Sequence, residues 1–179
     1  MEALEYLAET RDGVLAAVEG LSEAQWRFKP APDRWSVLEI VEHLSIVGSR
    51  VTKILERLGQ APVAPVDRDP TPIDALLKDA LDRSRKFHAP SIVCPTGRLN
   101  ATEVVEQFLS SHASVGDKLT MGPALRRNLV SHLVYGPLDG YEWIPMYGAH
   151  NARHTLQIRE VLRIVVAPID PEKNRRENQ

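Results

Sequence analysis

The sequence predicts an all-α protein. Three observations carry that expectation. Long segments repeat apolar residues every third or fourth position, capping residues stand directly ahead of several of them, and nowhere do apolar and polar residues alternate over the length of a strand. Four substantial apolar-faced helices and one shorter one make a bundle in which facing inner faces would supply the ligands of any metal ion.

The first helix is expected over Glu2 to Glu19, with Leu4, Leu7, Val14, Leu15 and Val18 at helical spacing and Gly20 as its stop. The stretch from Leu21 to Trp35 holds two prolines and no sustained period, so it reads as a connection with one short turn at Ser22. Ser36 followed by Glu39 is a capping box that opens the second helix. Val37, Ile40, Val41, Leu44, Val47, Val51, Ile54, Leu55 and Leu58 give it a broad inner face as far as Gly59.

Proline-rich residues 60–72 form a surface loop, and Thr71-Pro72 starts a shorter third helix that runs to about His88. An extended connection between Pro90 and Pro95 contains Cys94. Asn100, answered by Glu103, caps a fourth helix that lasts to about Met121, with Val105, Phe108, His112, Val115 and Leu119 inward. The segment from Pro123 to Asp139 is too broken by Gly136 and Pro137 for a major helix. Asp139 can cap the last one, and Pro145 means that this helix either begins later or bends. Residues 1–166 then make one helical domain, and 167–179 a charged, frayed tail.

A chain of 179 residues can bury one core without staples. Its formal net charge of -2 offers no basic surface, so no nucleic-acid partner is expected. Cys94 is the single cysteine, which excludes an internal disulfide and a cysteine-based zinc cluster within one chain. The acidic N-terminus and the lack of a long apolar run predict neither a signal peptide nor a membrane anchor, and a cytoplasmic location.

The last helix carries the chemistry. Tyr147, His150, His154, Ile158, Val161 and Val165 share one face, because residues four apart on a helix are displaced by only about 40° around its axis. Two core histidines with hydrogen-bond partners are the plainer reading, since H-x-x-x-H arises readily by chance and lacks the glutamate of H-E-x-x-H. The sharper reading is half of a metal site that needs a third ligand from a facing helix. His43 emerges between Ile40 and Val47 on the second helix and is the best candidate for it. His112 on the fourth helix is a rival.

Two blocks point to a family. The first is L-S-E-A-Q-W-R-F-K-P-A-P-D-R-W-S-V-L-E-I-V-E-H-L, from Leu21 to Leu44, and the second runs from H-L-V-Y-G-P-L-D-G-Y-E-W through H-N-A-R-H-T-L-Q-I, from His132 to Ile158. With both in this order, the chain resembles the DinB-like superfamily of bacterial four-helix-bundle proteins. The resemblance covers the chain from the first helix to about Val166. It implies a bundle of the up-down-down-up type with one additional short helix, and a metal triad of His43, His150 and His154. It also implies a divalent ion, commonly nickel or zinc, and, for some members, thiol-dependent S-transfer with small bacterial thiols. His112 and His132 have no ligand role in that pattern.

Three neutral imidazoles would leave an ion its full charge and an open position, a catalytic style of site at which water or a thiol is more easily deprotonated. Transferase and hydrolase readings therefore share one site. Glu39 and Gln157 are candidates to accept the second ring N–H of a ligating imidazole, although Glu39 is also wanted by the capping box. Trp35, His112, Trp143 and Tyr147 are candidate pocket residues. The expected partner is a small-molecule substrate, such as a low-molecular-weight thiol. The alternative is a non-catalytic module on the same bundle that binds a small molecule or forms a homodimer.

Overall fold

The computed structural model describes residues 3–84 and 88–166. Among them are six α-helices, three 3₁₀ segments and one two-stranded hairpin, so the chain is all-α in class. The helices are α1 (Ala3–Val18), α2 (Glu23–Arg27), α3 (Val37–Glu56), α4 (Ile73–Leu81), α5 (Ala101–Asp117) and α6 (Gly140–Val166). The four long helices pack pairwise, α3 against α5 and α6, and α1 against α5 and α6, while α4 lies along α6. No helix among the described residues is long and apolar enough to cross a membrane. The tail from residue 167 onward lies outside the described residues.

Local chemistry starts these helices. The side chain of Ser36 accepts from the Glu39 N–H while Glu39 accepts from the Ser36 N–H, and Ser22 with Gln25 and Asn100 with Glu103 repeat the arrangement. Asp139 and Glu142 close a fourth such pair, with bonds of 2.7 and 3.0 Å, so α6 begins at once after Asp139 and carries Pro145 in its second turn. The alternative of a later start is thereby ruled out.

Three other expectations are corrected. The third predicted helix stops at Leu81, well short of His88. The Asp82 side chain accepts from the Ser84 N–H at 2.9 Å, a local turn that competes with helix, and Arg153 of α6 donates to the Ala80 and Asp82 carbonyls. The α-helical part of the fourth helix ends at Asp117 and continues as 3₁₀ turns to Arg126, broken where Gly122 takes φ 55°. The segment with no predicted structure contains the hairpin, β1 (Val130–His132) antiparallel to β2 (Gly136–Leu138). Three-residue strands leave no periodic trace; tertiary contacts hold this hairpin, with the Trp143 indole donating to the Val130 carbonyl and Leu138 buried.

The core divides along the helices into two apolar clusters. One gathers Leu7, Val51, Leu55, Val115, Ile144 and Tyr147, and the other Val14, Ile40, Leu44, Phe108, Ile158 and Val161. Where each long helix passes from one cluster to the other it supplies small or polar residues: Thr10, Gly48, Ser111, Asn151 and Thr155. His150 and His154 lie at this same level of α6.

Gly48 shows how tight that layer is. A Cβ there would come within 2.6 Å of the Tyr147 hydroxyl and 2.8 Å of the Ser111 Oγ. Alanine would gain about 1 kcal/mol of helix propensity, but overpacking a buried, rigid ring costs roughly 1–3 kcal/mol. Gly48→Ala is therefore expected to lower the thermal midpoint, and adding Tyr147→Phe to recover part of the loss. A Gly48→Ala protein as stable as the wild type would show that the layer is loosely packed.

Candidate metal centre

His43 projects from the second turn of α3, and His150 and His154 from consecutive turns of α6. The packing of α3 on α6 brings the rings together, with centroids 5.1 Å apart for His43 and His150, 4.9 Å for His43 and His154, and 4.5 Å for His150 and His154. One ligand nitrogen from each lies within 4.8 Å of the others, a group that could hold a metal ion. The Nε2 atoms of His43 and His150 are 3.0 Å apart, about the separation of two nitrogens bound at 2.0–2.1 Å to a single ion.

The outer contacts decide which nitrogen faces inward. His43 Nδ1 lies 2.7 Å from the Val93 carbonyl oxygen, which can only accept, so Nδ1 carries the proton and Nε2 keeps its lone pair. His154 Nδ1 donates in the same way to Gln157 Oε1 at 2.8 Å. Both rings thus hold the tautomer that a metal ligand needs, and both partners are of the type that orients ligating histidines.

Electrostatics keep the rings neutral. Burial lowers the pKa of His43 against the opposing pull of the Val93 bond. Burial, then the neighbouring His43, His132 and Arg153, lowers that of His150 to about 3. His154 is pushed well below the ordinary range by burial, with His150 and His43 adding to it. Neutral imidazole is the ligating form, so the site needs no proton loss to accept an ion at neutral pH.

The same shifts predict how the metal-free protein responds to pH. Below about pH 6.5 the unfolded chain takes up protons that folded His150 refuses until about pH 3, so this part of the stability is complete above 6.5 and is lost as pH falls. The thermal midpoint should decline from pH 7 to pH 5, above the usual carboxylate range, and decline less in a His150→Leu variant. Parallel profiles for the two proteins would contradict the buried neutral state.

The other predicted residues fall at different distances from this centre. Trp35 stacks beside it, its ring centroid 4.8 Å from that of His43 and 6.4 Å from that of His154. Glu39 does not reach His43; its carboxylate accepts from the Ser36 N–H and from Lys29 Nζ at 2.7 Å. His112 is held in the core by the Leu7 carbonyl at 2.9 Å and packs against Phe108 and Tyr147. Tyr147 points its hydroxyl towards Gly48 and Ser111, and burial pushes its pKa up to about 12, which removes it as a proton acceptor at neutral pH. Trp143 packs on the hairpin against His132, whose Nδ1 accepts from the Val134 and Tyr135 N–H groups. Beside Trp143 on α6, though not among the predicted site residues, Glu142 is engaged by Arg68 and by the Thr71 N–H, both at 2.6 Å.

Sequence reasoning missed the loop that closes on α3. The Val93 carbonyl has no sequence signature, and Glu42 reads as a surface residue because it points about 100° around the helix from His43. In the structure Glu42 is 3% exposed and accepts three hydrogen bonds from Thr96 and Gly97.

The family model described as the DinB superfamily matches residues 6–158. An uncharacterized protein of Bacillus subtilis strain 168, YuaE, is 28% identical over 150 residues, spanning 80% of this chain and 87% of that protein.

Proposed function

We propose that this chain, which belongs to the DinB superfamily, is a metal-dependent enzyme that holds one divalent ion on His43, His150 and His154 and acts on a small molecule. The observation that carries the reading is the convergence of three neutral imidazoles within 4.8 Å, two of them with their outer N–H groups already committed to oxygen acceptors. The donor set fits nickel or zinc, both of which imidazole suits.

When bound, such an ion is a Lewis acid that favours the deprotonated form of a water or a thiol. The chain's own residues do the rest. Val93 and Gln157 fix ring orientation, Trp35 covers one side, and partly accessible His150 leaves a route of approach from solvent. Thiol-dependent S-transfer and hydrolysis both fit this arrangement, and they differ in which group takes the open position.

Cobalt substitution separates them. Cobalt(II)-loaded protein should show visible bands of a nitrogen-ligated ion of low coordination number. A sulfur-to-cobalt charge-transfer band on adding a small thiol supports the transferase reading. An unchanged spectrum with thiol, together with turnover of simple esters or amides, supports the hydrolase. Visible bands without turnover in either assay would favour a non-catalytic binding module, and their absence would contradict the site itself.

A further inference from the structure

Glu42 is the least expected charged group beside the three histidines. It immediately precedes on α3 the residue whose ring meets α6, it is 3% exposed, and a buried carboxylate is tolerated only where its oxygens are satisfied. They are satisfied by one short segment. Oε1 accepts from the Thr96 N–H at 2.9 Å and the Thr96 hydroxyl at 2.7 Å, and Oε2 accepts from the Gly97 N–H at 2.8 Å.

That segment also carries the oxygen bonded to His43. Val93 ends a 3₁₀ turn from Ser91 to Val93, and its carbonyl lies three residues before Thr96. Pro95 between them limits backbone freedom, and Gly97 turns the chain at φ 67° with its Cα against the Glu39 side chain. The loop is exposed at Ser91, Ile92, Cys94 and Thr96, so it has little apolar burial of its own. Its attachment to α3 is polar and runs through two adjacent residues of the helix, Glu42 and His43.

We propose that Glu42 is a positioning residue of the metal centre: by holding Thr96 and Gly97 it fixes the Val93 carbonyl against His43 Nδ1, and so sets the tautomer and orientation of the imidazole that faces His150. The assignment rests on the metal-site reading above, but its first consequence concerns the metal-free protein. Glu42→Gln keeps the size of the side chain and places an amide donor against the N–H groups of Thr96 or Gly97, so at least one bond is lost and two donors confront each other. The loop then moves off α3, and His43 loses the acceptor that held its Nδ1 proton.

Two readouts test this. Long-range proton–nitrogen correlation spectra of the metal-free protein at neutral pH should show His43 protonated at Nδ1 in the wild type, and a shift towards the Nε2-protonated form in Glu42→Gln. Calorimetric titration with Ni²⁺ and Zn²⁺ should show affinity about 10- to 100-fold weaker in the variant, the usual effect of losing an outer partner of a ligand. Ser22→Ala is the control for a merely structural effect. It removes the α2 cap and lowers the thermal midpoint, yet leaves the His43 tautomer and the affinities unchanged.

Thr96→Val removes the hydroxyl that donates to Glu42 and accepts from the Arg98 N–H, keeps the backbone donor, and should shift both readouts in the same direction by less, with Thr96→Ser restoring them. It carries the test if Glu42→Gln does not fold. A folded Glu42→Gln protein, or a Thr96→Val protein, with wild-type tautomer and affinities would overturn the assignment. If the wild type takes up neither ion, the metal reading falls, while the tautomer comparison still decides what Glu42 does.

Discussion

Replacing His154 by alanine is expected to reduce affinity for Ni²⁺ and Zn²⁺ by more than the 10- to 100-fold that follows loss of an outer partner, because the substitution removes a ligand itself. His154 is buried and held from several sides. It is 8% exposed, is fixed through Nδ1 by Gln157, and has both other imidazoles within 5 Å of its ring centre. Water can fill the coordination position but cannot reproduce its geometry. A second readout follows from linkage. A ligand at a hundred times its Kd stabilises the folded state by about 2.7 kcal/mol, which for a domain of this size raises the thermal midpoint by roughly 5–10 °C. That rise should appear when metal is added to the wild type and be absent in His154→Ala. An equal rise in both proteins would place the binding elsewhere.

The largest expected effect on stability lies at the start of α6. Asp139 and Glu142 are each 1% exposed, and Arg68 from the preceding loop reaches both, at 3.5 and 2.6 Å. Arg126 supports Asp139 from the other side at 3.1 Å, but it is itself half exposed. Arg68→Met leaves two buried carboxylates with backbone N–H groups and one peripheral cation. Breaking a buried pair in this way costs about 3–5 kcal/mol, a large part of the 5–15 kcal/mol that holds a typical domain together. Urea denaturation would measure it.

The sign of its pH dependence is also fixed. Burial and then the charge of Glu142 already raise the pKa of Asp139, and losing Arg68 raises it further. The folded variant then holds a proton that its unfolded chain has released, so the defect should shrink as pH falls towards the carboxylate range. A variant within 1 kcal/mol of wild type at neutral pH would mean that Arg126 alone suffices.

What the sequence makes legible here is local. Ser36 with Glu39 and Asn100 with Glu103 announce helix starts because a capping box closes within three residues, and His150 with His154 share a face because helical geometry demands it. Helix faces favour His43 but leave His112 as a rival, since both point inward. Distance in the fold separates them: His43 meets His150, whereas His112 is bonded to Leu7 on α1. The illegible parts depend on contacts across long stretches of chain. Glu42 is 54 residues from Thr96, Arg153 stops α4 from 71 residues away, and the hairpin is too short for any period to show. Glu39 illustrates competition, because a carboxylate that closes its own helix cap is no longer available to an imidazole one turn on.

The most direct test of the central claim is the metal content of protein prepared without a histidine tag, measured by elemental analysis before and after loading with nickel or zinc, beside His150→Ala. About one ion per chain is expected in the loaded wild type, and its loss in the variant. A wild type that stays empty after exposure to both ions would contradict that claim, and would leave the three histidines as a buried polar cluster of the bundle.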